Sequence, residues 1–147
     1  MESVLVLNGP NLNLLGSREP ELYGECTLQQ IEDDLRQLGA DLGVEVQCLQ
    51  ANGEGELIDA VQGAIGRCHA LIINPGGYSH TSVALRDALA AFEGTVIEVH
   101  LTNVAAREPF RRRNITATAA DGVISGLGPA GYSLAMIAVG KAETSDD

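Results

Sequence analysis

Short runs of apolar and β-branched residues alternate along the chain with longer stretches in which apolar residues recur every three or four positions. The short runs Val4–Leu7, Val44–Leu49, Ala70–Ile73, Val96–Val99 and Val123–Ser125 predict five strands. Ala70–Ile73 is apolar throughout, as expected of a strand covered on both faces. Helices are predicted over Thr27–Leu42, Gly55–Cys68, Ser82–Phe92 and Pro129–Lys141. The first carries Leu28, Ile31, Leu35, Leu38 and Leu42 on one stripe. Thr27 with Gln30 three residues on forms a capping box, and Gly43 stops the helix. The second turns Leu57, Ile58, Val61 and Ile65 inward, and Pro129 opens the last. Strands alternating with helices imply a parallel sheet with right-handed crossovers. The expected fold is α/β, a flavodoxin-like three-layer sandwich with a five-stranded sheet of order 2-1-3-4-5. Ligands in such sheets bind beyond the carboxyl ends of the strands, near the switch point between strands 1 and 3.

Composition narrows the function. A length of 147 residues implies one domain, placed at residues 1–142, with an acidic tail at 143–147. The net charge of −11 argues against a general electrostatic grip on nucleic acid or an anionic membrane. Aromatic residues make up only 3% and tryptophan is absent, which argues against a base-stacking platform. No apolar run approaches the ~18 residues of a membrane span. The opening MESVLVLNGP lacks the basic start of a secretory signal. Cys26, Cys48 and Cys68 are odd in number and widely spaced, which fits neither a disulfide framework nor a zinc site and makes them packing residues. A reduced, cytoplasmic protein is the expectation. Lys141 is the only lysine and sits near the C-terminus, so a core Schiff base is excluded.

Candidate chemistry gathers at three strand ends. After strand 1, residues 8–25 make a long connection with Asn8, Asn11, Asn13, Arg18 and Tyr23. It reads equally as a surface excursion or a functional lid, and its length favours the lid. After strand 3, residues 74–82 bring Asn74, two glycines and His80 to the start of a helix, a setting suited to an anion or to an ordinary capped turn. After strand 4, Glu98 and His100 fall on one face by strand alternation, either as an acid–base pair or as a strand-end ion pair. Residues 107–113 hold four of the nine basic residues, which suggests a small anionic ligand. Some of Arg111, Arg112 and Arg113 are expected to be solvated instead. Gly126-Leu127-Gly128-Pro129-Ala130-Gly131 matches a dinucleotide fingerprint in spelling only. It lies after the last strand with no later acidic strand end, and reads as a tight turn. His69 and Tyr132 read as structural.

The segments VLVLNGPNLNLLGSREPELYG, ANGEGELID, INPGGYSHTSVALRDAL, VIEVHLTN and AREPFR occur in that order. Together they resemble the type II 3-dehydroquinate dehydratases from end to end, apart from the acidic tail. The resemblance implies an anti elimination of water from 3-dehydroquinate, through an enolate, to 3-dehydroshikimate. It implies no metal and no cofactor. Tyr23 would be the base at C2, and Arg18 would supply the positive charge that its phenolate needs. Asn11 would stabilise the enolate. His100 would protonate the leaving C1 hydroxyl, with Glu98 holding its ring. Asn74, Leu101 and Thr102 would receive the substrate's ring and carboxylate. His80, Asp87 and Arg111 would read the distal hydroxyls, and Arg107 would line the site. The loop with Arg18 and Tyr23 would close as a lid. The family assembles as a homododecamer, a tetramer of trimers, in which the aspartate matching Asp87 reaches a neighbour's site.

Four departures from the family pattern bear on assembly and efficiency. Gly53 and Ala105 each stand where histidine is common, Thr102 replaces serine, and Arg112-Arg113-Asn114-Ile115 replaces His-His-Ser-Tyr. None falls on Tyr23, Arg18, His100 or Glu98. A receiver-like signalling module would need an acid ending strand 3, where Asn74 stands, and a lysine after strand 5. A binding protein of the same fold and the same reaction in quinate catabolism remain the alternatives to a biosynthetic dehydratase.

Overall fold

A computed structural model describes residues 2–142. The acidic tail at 143–147 lies outside the described residues. Five strands form one parallel sheet: β1 (Ser3–Asn8), β2 (Glu45–Gln50), β3 (Ala70–Asn74), β4 (Thr95–His100) and β5 (Gly122–Ser125). Their order is β2-β1-β3-β4-β5, as the pattern predicts, and every pairing is parallel. The helices are α1 (Pro20–Tyr23), α2 (Leu28–Leu42), α3 (Glu54–Ala64), α4 (Val83–Ala91) and α5 (Ala130–Ala142).

Strand alternation divides the interior into two cores. Val4, Val6, Ala70, Ile72 and Val99 face α2 and α5, where Leu28, Ile31, Leu35, Tyr132, Ala135, Met136 and Val139 cover them. Leu5, Leu7, Leu71, Ile73 and Val96 face the other way onto Leu57, Val61 and Ala64 of α3 and Leu85, Ala88 and Leu89 of α4. A side chain of this kind contributes roughly 1.5–3 kcal/mol when fully buried, so the two layers supply the main drive for folding.

Helix ends follow local chemistry. Thr27 accepts from Gln30 N, and the Gln30 side chain accepts from Thr27 N, so the predicted capping box is complete and Thr27 itself is the cap. Gly43 ends α2 at φ 77°, a left-handed conformation that glycine adopts without strain. Two predictions shift. The helix predicted over Gly55–Cys68 starts at Glu54 and stops at Ala64, because Ile65 turns extended and Gly66 takes φ 75°. The last helix begins after Pro129, which lies just ahead of its first turn.

At the carboxyl edge, the exits of β1 and β3 press together. Gly9 N donates to Asn74 O at 2.8 Å. A Cβ on Gly9 would lie 2.5 Å from the Pro75 carbonyl oxygen, so only glycine fits there. This contact sets the two loops side by side at the switch point.

Candidate active site

The long connection after β1 is an ordered structure with its own anchors. Gln50 Nε2 donates to Gly9 O at 3.1 Å, and Asn11 N donates to Asn52 Oδ1 at 3.1 Å. Asn11 holds a left-handed backbone, φ 71°, which asparagine tolerates better than most residues. A short turn at Leu12–Leu14 then buries Leu12 and Leu15 in the first core. The one-turn helix α1 follows and ends at Tyr23, whose ring is half-buried against the same core. Neither the turn nor α1 is visible as hydrophobic periodicity, because each is only one turn long.

Positive charge collects around that ring. The Arg18 guanidinium carbon lies 5.2 Å and that of Arg107 5.4 Å from the Tyr23 ring centroid. Arg107 reaches in from the segment after β4 and also donates to Thr102 Oγ1 at 3.3 Å, so the hydroxyl kept by the serine-to-threonine departure has a partner. Glu108 pairs with Arg107 at 3.6 Å and with Arg111 at 3.0 Å. Its carboxyl is held below the usual range by its own backbone N–H and then by Arg111. Arg112 and Arg113 are exposed, as expected for part of the cluster.

Across the pocket, His100 and Glu98 share a face of β4. His100 Nε2 lies 2.6 Å from Glu98 Oε2, and both side chains are buried. Two further donors reach the carboxylate: Asn114 Nδ2 to Oε2 at 2.7 Å and Thr116 Oγ1 to Oε1 at 2.5 Å. The His100 ring nitrogen, the Asn114 amide and the Thr116 hydroxyl thus converge on one buried carboxyl group. Deeper at the switch point, Gly76 N donates to Asn74 Oδ1 at 3.1 Å, which turns Asn74 Nδ2 to Tyr132 Oη at 3.1 Å. Tyr132 donates in turn to Asn8 Oδ1 at 2.5 Å. Burial pushes the Tyr132 phenol above its ordinary range, and Tyr132 is structural as predicted.

Ten of the twelve predicted site residues line one pocket of about 130 Å³: Asn11, Arg18, Tyr23, Asn74, His80, His100, Leu101, Thr102, Arg107 and Arg111. Glu98 is buried behind His100. Asp87 lies outside the pocket, exposed on α4 and paired with Arg86 at 3.2 Å. Pro10, Leu12, Gly76, Gly77 and Val104 complete the lining. Gly53 and Ala105 do not line it; Gly53 caps α3 and Ala105 sits in an exposed turn. Sequence reasoning missed Asn114 and Thr116 as partners of Glu98, since a contact 16 or 18 residues away leaves no periodic trace. Among the described residues, no group of three or more His, Cys, Asp or Glu could hold a metal ion.

The family model for class II dehydroquinases (Dehydroquinase class II) matches residues 2–140. The chain belongs to the class II dehydroquinase family. Within that family it is 54% identical over 136 residues to a catabolic 3-dehydroquinase 2 of Aspergillus flavus, covering 92% of this chain and 91% of the relative. It is also 54% identical to a 3-dehydroquinate dehydratase of a Chelativorans species, covering 94% and 96%. The crystal structure of the type II dehydroquinase of Propionibacterium acnes superposes with a TM-score of 0.92 at 38% identity, covering 96% of this chain and 97% of that one. The resemblance seen in the segments and the flavodoxin-like sheet order therefore holds over nearly the whole chain. Of Gly53, Ala105, Asn114 and Ile115 in this dehydroquinase, only Asn114 touches the buried acid behind His100.

Proposed function

We propose that this protein is a hydro-lyase that removes water from 3-dehydroquinate to give 3-dehydroshikimate, with Tyr23 as base and His100 as acid. One observation carries the assignment of roles. Tyr23 and His100 line the same small pocket, the first beneath two guanidinium groups and the second backed by a buried carboxylate. Abstraction of a proton from C2 gives an enolate. Negative charge then sits on Tyr23 before the step and on the substrate oxygen after it. Arg18 and Arg107 favour the first, and Asn11 stabilises the second. His100 gives a proton to the C1 hydroxyl, which leaves as water. The proton taken at C2 and the one delivered at C1 balance, and solvent resets both side chains. With Nε2 engaged by Glu98, Nδ1 is the nitrogen that carries the transferred proton, and Glu98 stabilises the ring while it is charged. Asn74, Leu101 and Thr102 receive the ring and carboxylate, and His80, Arg107 and Arg111 read its polar groups.

Residues 1–142 act as one catalytic domain, in a cytoplasmic enzyme of the shikimate pathway for chorismate and aromatic amino-acid biosynthesis. The assembly is a homododecamer in which Asp87 completes a neighbour's site; its exposure outside its own pocket supports this. A catabolic role in quinate use is the second reading, favoured by the similarity to the catabolic 3-dehydroquinase 2 of Aspergillus flavus. No described helix is long and apolar enough to cross a membrane. The purified protein mixed with 3-dehydroquinate should give a rise in enone absorbance. A folded protein that binds the substrate without that rise would make it a binding protein instead. Growth on quinate after deletion of the gene separates the two pathway roles.

A further inference from the structure

Behind His100, the buried carboxylate of Glu98 is held from residues 114–116, a segment that contains none of the expected site residues. Asn114 is fixed by its own bonds: its Oδ1 accepts from Ala117 N at 3.1 Å. A backbone N–H can only donate, so the amide oxygen must face Ala117 and Nδ2 must face Glu98, 2.7 Å away. Thr116 has one hydroxyl proton, and its shorter contact is to Glu98 Oε1 at 2.5 Å. The same segment grips the other side of the site. Ile115 N donates to Ser79 O at 2.7 Å, and the carbonyl oxygen of Arg113 lies 2.8 Å from His80 Nδ1. Residues 113–116 thus tie the turn that carries His80 to the acid behind His100.

We infer that Asn114 is a positioning residue for proton delivery, fixing the Glu98 carboxylate and through it the His100 ring. The inference rests on the dehydration reading above. Asn114 Nδ2 and His100 Nε2 converge on the same oxygen, Oε2. Without the amide, Oε2 keeps only the His100 contact and Thr116 alone anchors Oε1, so the carboxylate is held less tightly against the ring. The histidine ring then loses the fixed acceptor that sets which nitrogen carries the proton. Substrate binding relies on other groups, so the cost falls on the chemical step.

The test compares wild type, Asn114→Ala and Asn114→Asp by steady-state turnover of 3-dehydroquinate between pH 5.5 and 8.5. The aspartate variant keeps an oxygen for Ala117 N but can donate to Glu98 only when its carboxyl is protonated. Titratable groups around the segment are Glu98 and His100 from β4 and His80 from the turn after β3. Arg86 of α4 meets the segment at Thr118, with Asp87 beside it. Loss of one hydrogen bond to a charged group corresponds to about 10- to 100-fold, so kcat of Asn114→Ala should fall at least tenfold with KM nearly unchanged. Asn114→Asp should show a comparable loss at pH 8.5 that shrinks relative to wild type as pH falls. Unchanged kcat, a loss confined to KM, or a pH-independent deficit in the aspartate variant would overturn the inference. So would failure of both variants to fold, which would make Asn114 structural. An inactive wild type overturns the dehydration reading itself, and this inference with it.

Discussion

Two histidine–carboxylate pairs stand at opposite ends of the same sheet, and only one of them faces chemistry. At the amino end, His69 lies 3.3 Å from Glu2, whose side chain is half exposed. Both ring nitrogens of His69 also face backbone carbonyls, Ser3 O at 2.9 Å and Val139 O at 3.4 Å. Its ring is used up in joining β1, β3 and α5. At the carboxyl end, His100 meets Glu98 at 2.6 Å, and the carboxylate is fully buried with two more donors on it. There the ring spends one nitrogen on the carboxylate and lines the pocket. The tyrosines repeat the contrast. Tyr132 gives its hydroxyl to Asn8 and takes a bond from Asn74, whereas Tyr23 lies half-buried under Arg18 and Arg107. A residue type does not make a site. What makes one is a polar group left uncommitted at a strand end, with charge arranged to bias it.

The largest effect should come from exchanging the tyrosines for phenylalanine. Tyr23→Phe removes the base and should lower kcat by roughly 10²–10⁴-fold while leaving stability nearly unchanged. Tyr132→Phe should do the reverse in its larger effect, costing roughly 1–3 kcal/mol in chemical denaturation because Asn8 and Asn74 lose their buried partner. Similar turnover losses in both variants would break the comparison. Next, His100→Ala should lower kcat by about 10²-fold or more, while His69→Ala should keep kcat and lose about 1 kcal/mol of stability. Removal of one ring cation comes third. Arg107→Leu should cost about 10-fold or more in kcat/KM, since it takes away both the charge at Tyr23 and the bond to Thr102.

The smallest effect is in the pH dependence of folding. Burial holds the Tyr132 phenol above its ordinary value of 10, so in the folded state it keeps its proton longer than in the unfolded chain. Above about pH 10 the unfolded state therefore binds fewer protons, and stability falls as pH rises. Below that range both states are protonated and the group contributes no slope. Urea unfolding between pH 8 and 11 should fall more steeply in wild type than in Tyr132→Phe, and parallel curves would contradict this. The Cys48 thiol, pushed up to about 11 chiefly by burial, adds a slope of the same sign in both proteins, so the difference between them isolates Tyr132.

Much of this is legible in the sequence alone. Valine, leucine and isoleucine runs marked the strands, and the capping box at Thr27 and the glycine at 43 marked the ends of α2. Alternation of strands and helices implies a parallel sheet, and the order found is the commonest one for five such strands. The ten expected residues that line the pocket are legible through long motifs in register. Strand alternation alone joined Glu98 to His100. What stayed hidden were single-turn elements and distant side-chain partners. Residues 101–121 contain three short turns, at Val104–Ala106, Pro109–Arg111 and Thr116–Ala119, too brief to show a period. Tyr132 reaches Asn8 across 124 residues, and Asn114 reaches Glu98 across 16, so both bonds depend on the closed fold. The continuous apolar strand β3 also conceals which residue faces which core, a choice made only by packing against α2 and α5 or α3 and α4.

The most direct test separates the two proton positions. His100→Ala is incubated with 3-dehydroquinate in D2O, and deuterium at C2 of the unreacted substrate is followed by NMR beside Tyr23→Phe and a buffer control. With the base intact and the acid removed, deuterium should enter C2 well ahead of enone formation in His100→Ala, while Tyr23→Phe should exchange no faster than buffer. Equal exchange in the two variants, or exchange in Tyr23→Phe alone, would contradict the assignment of Tyr23 as base and His100 as acid.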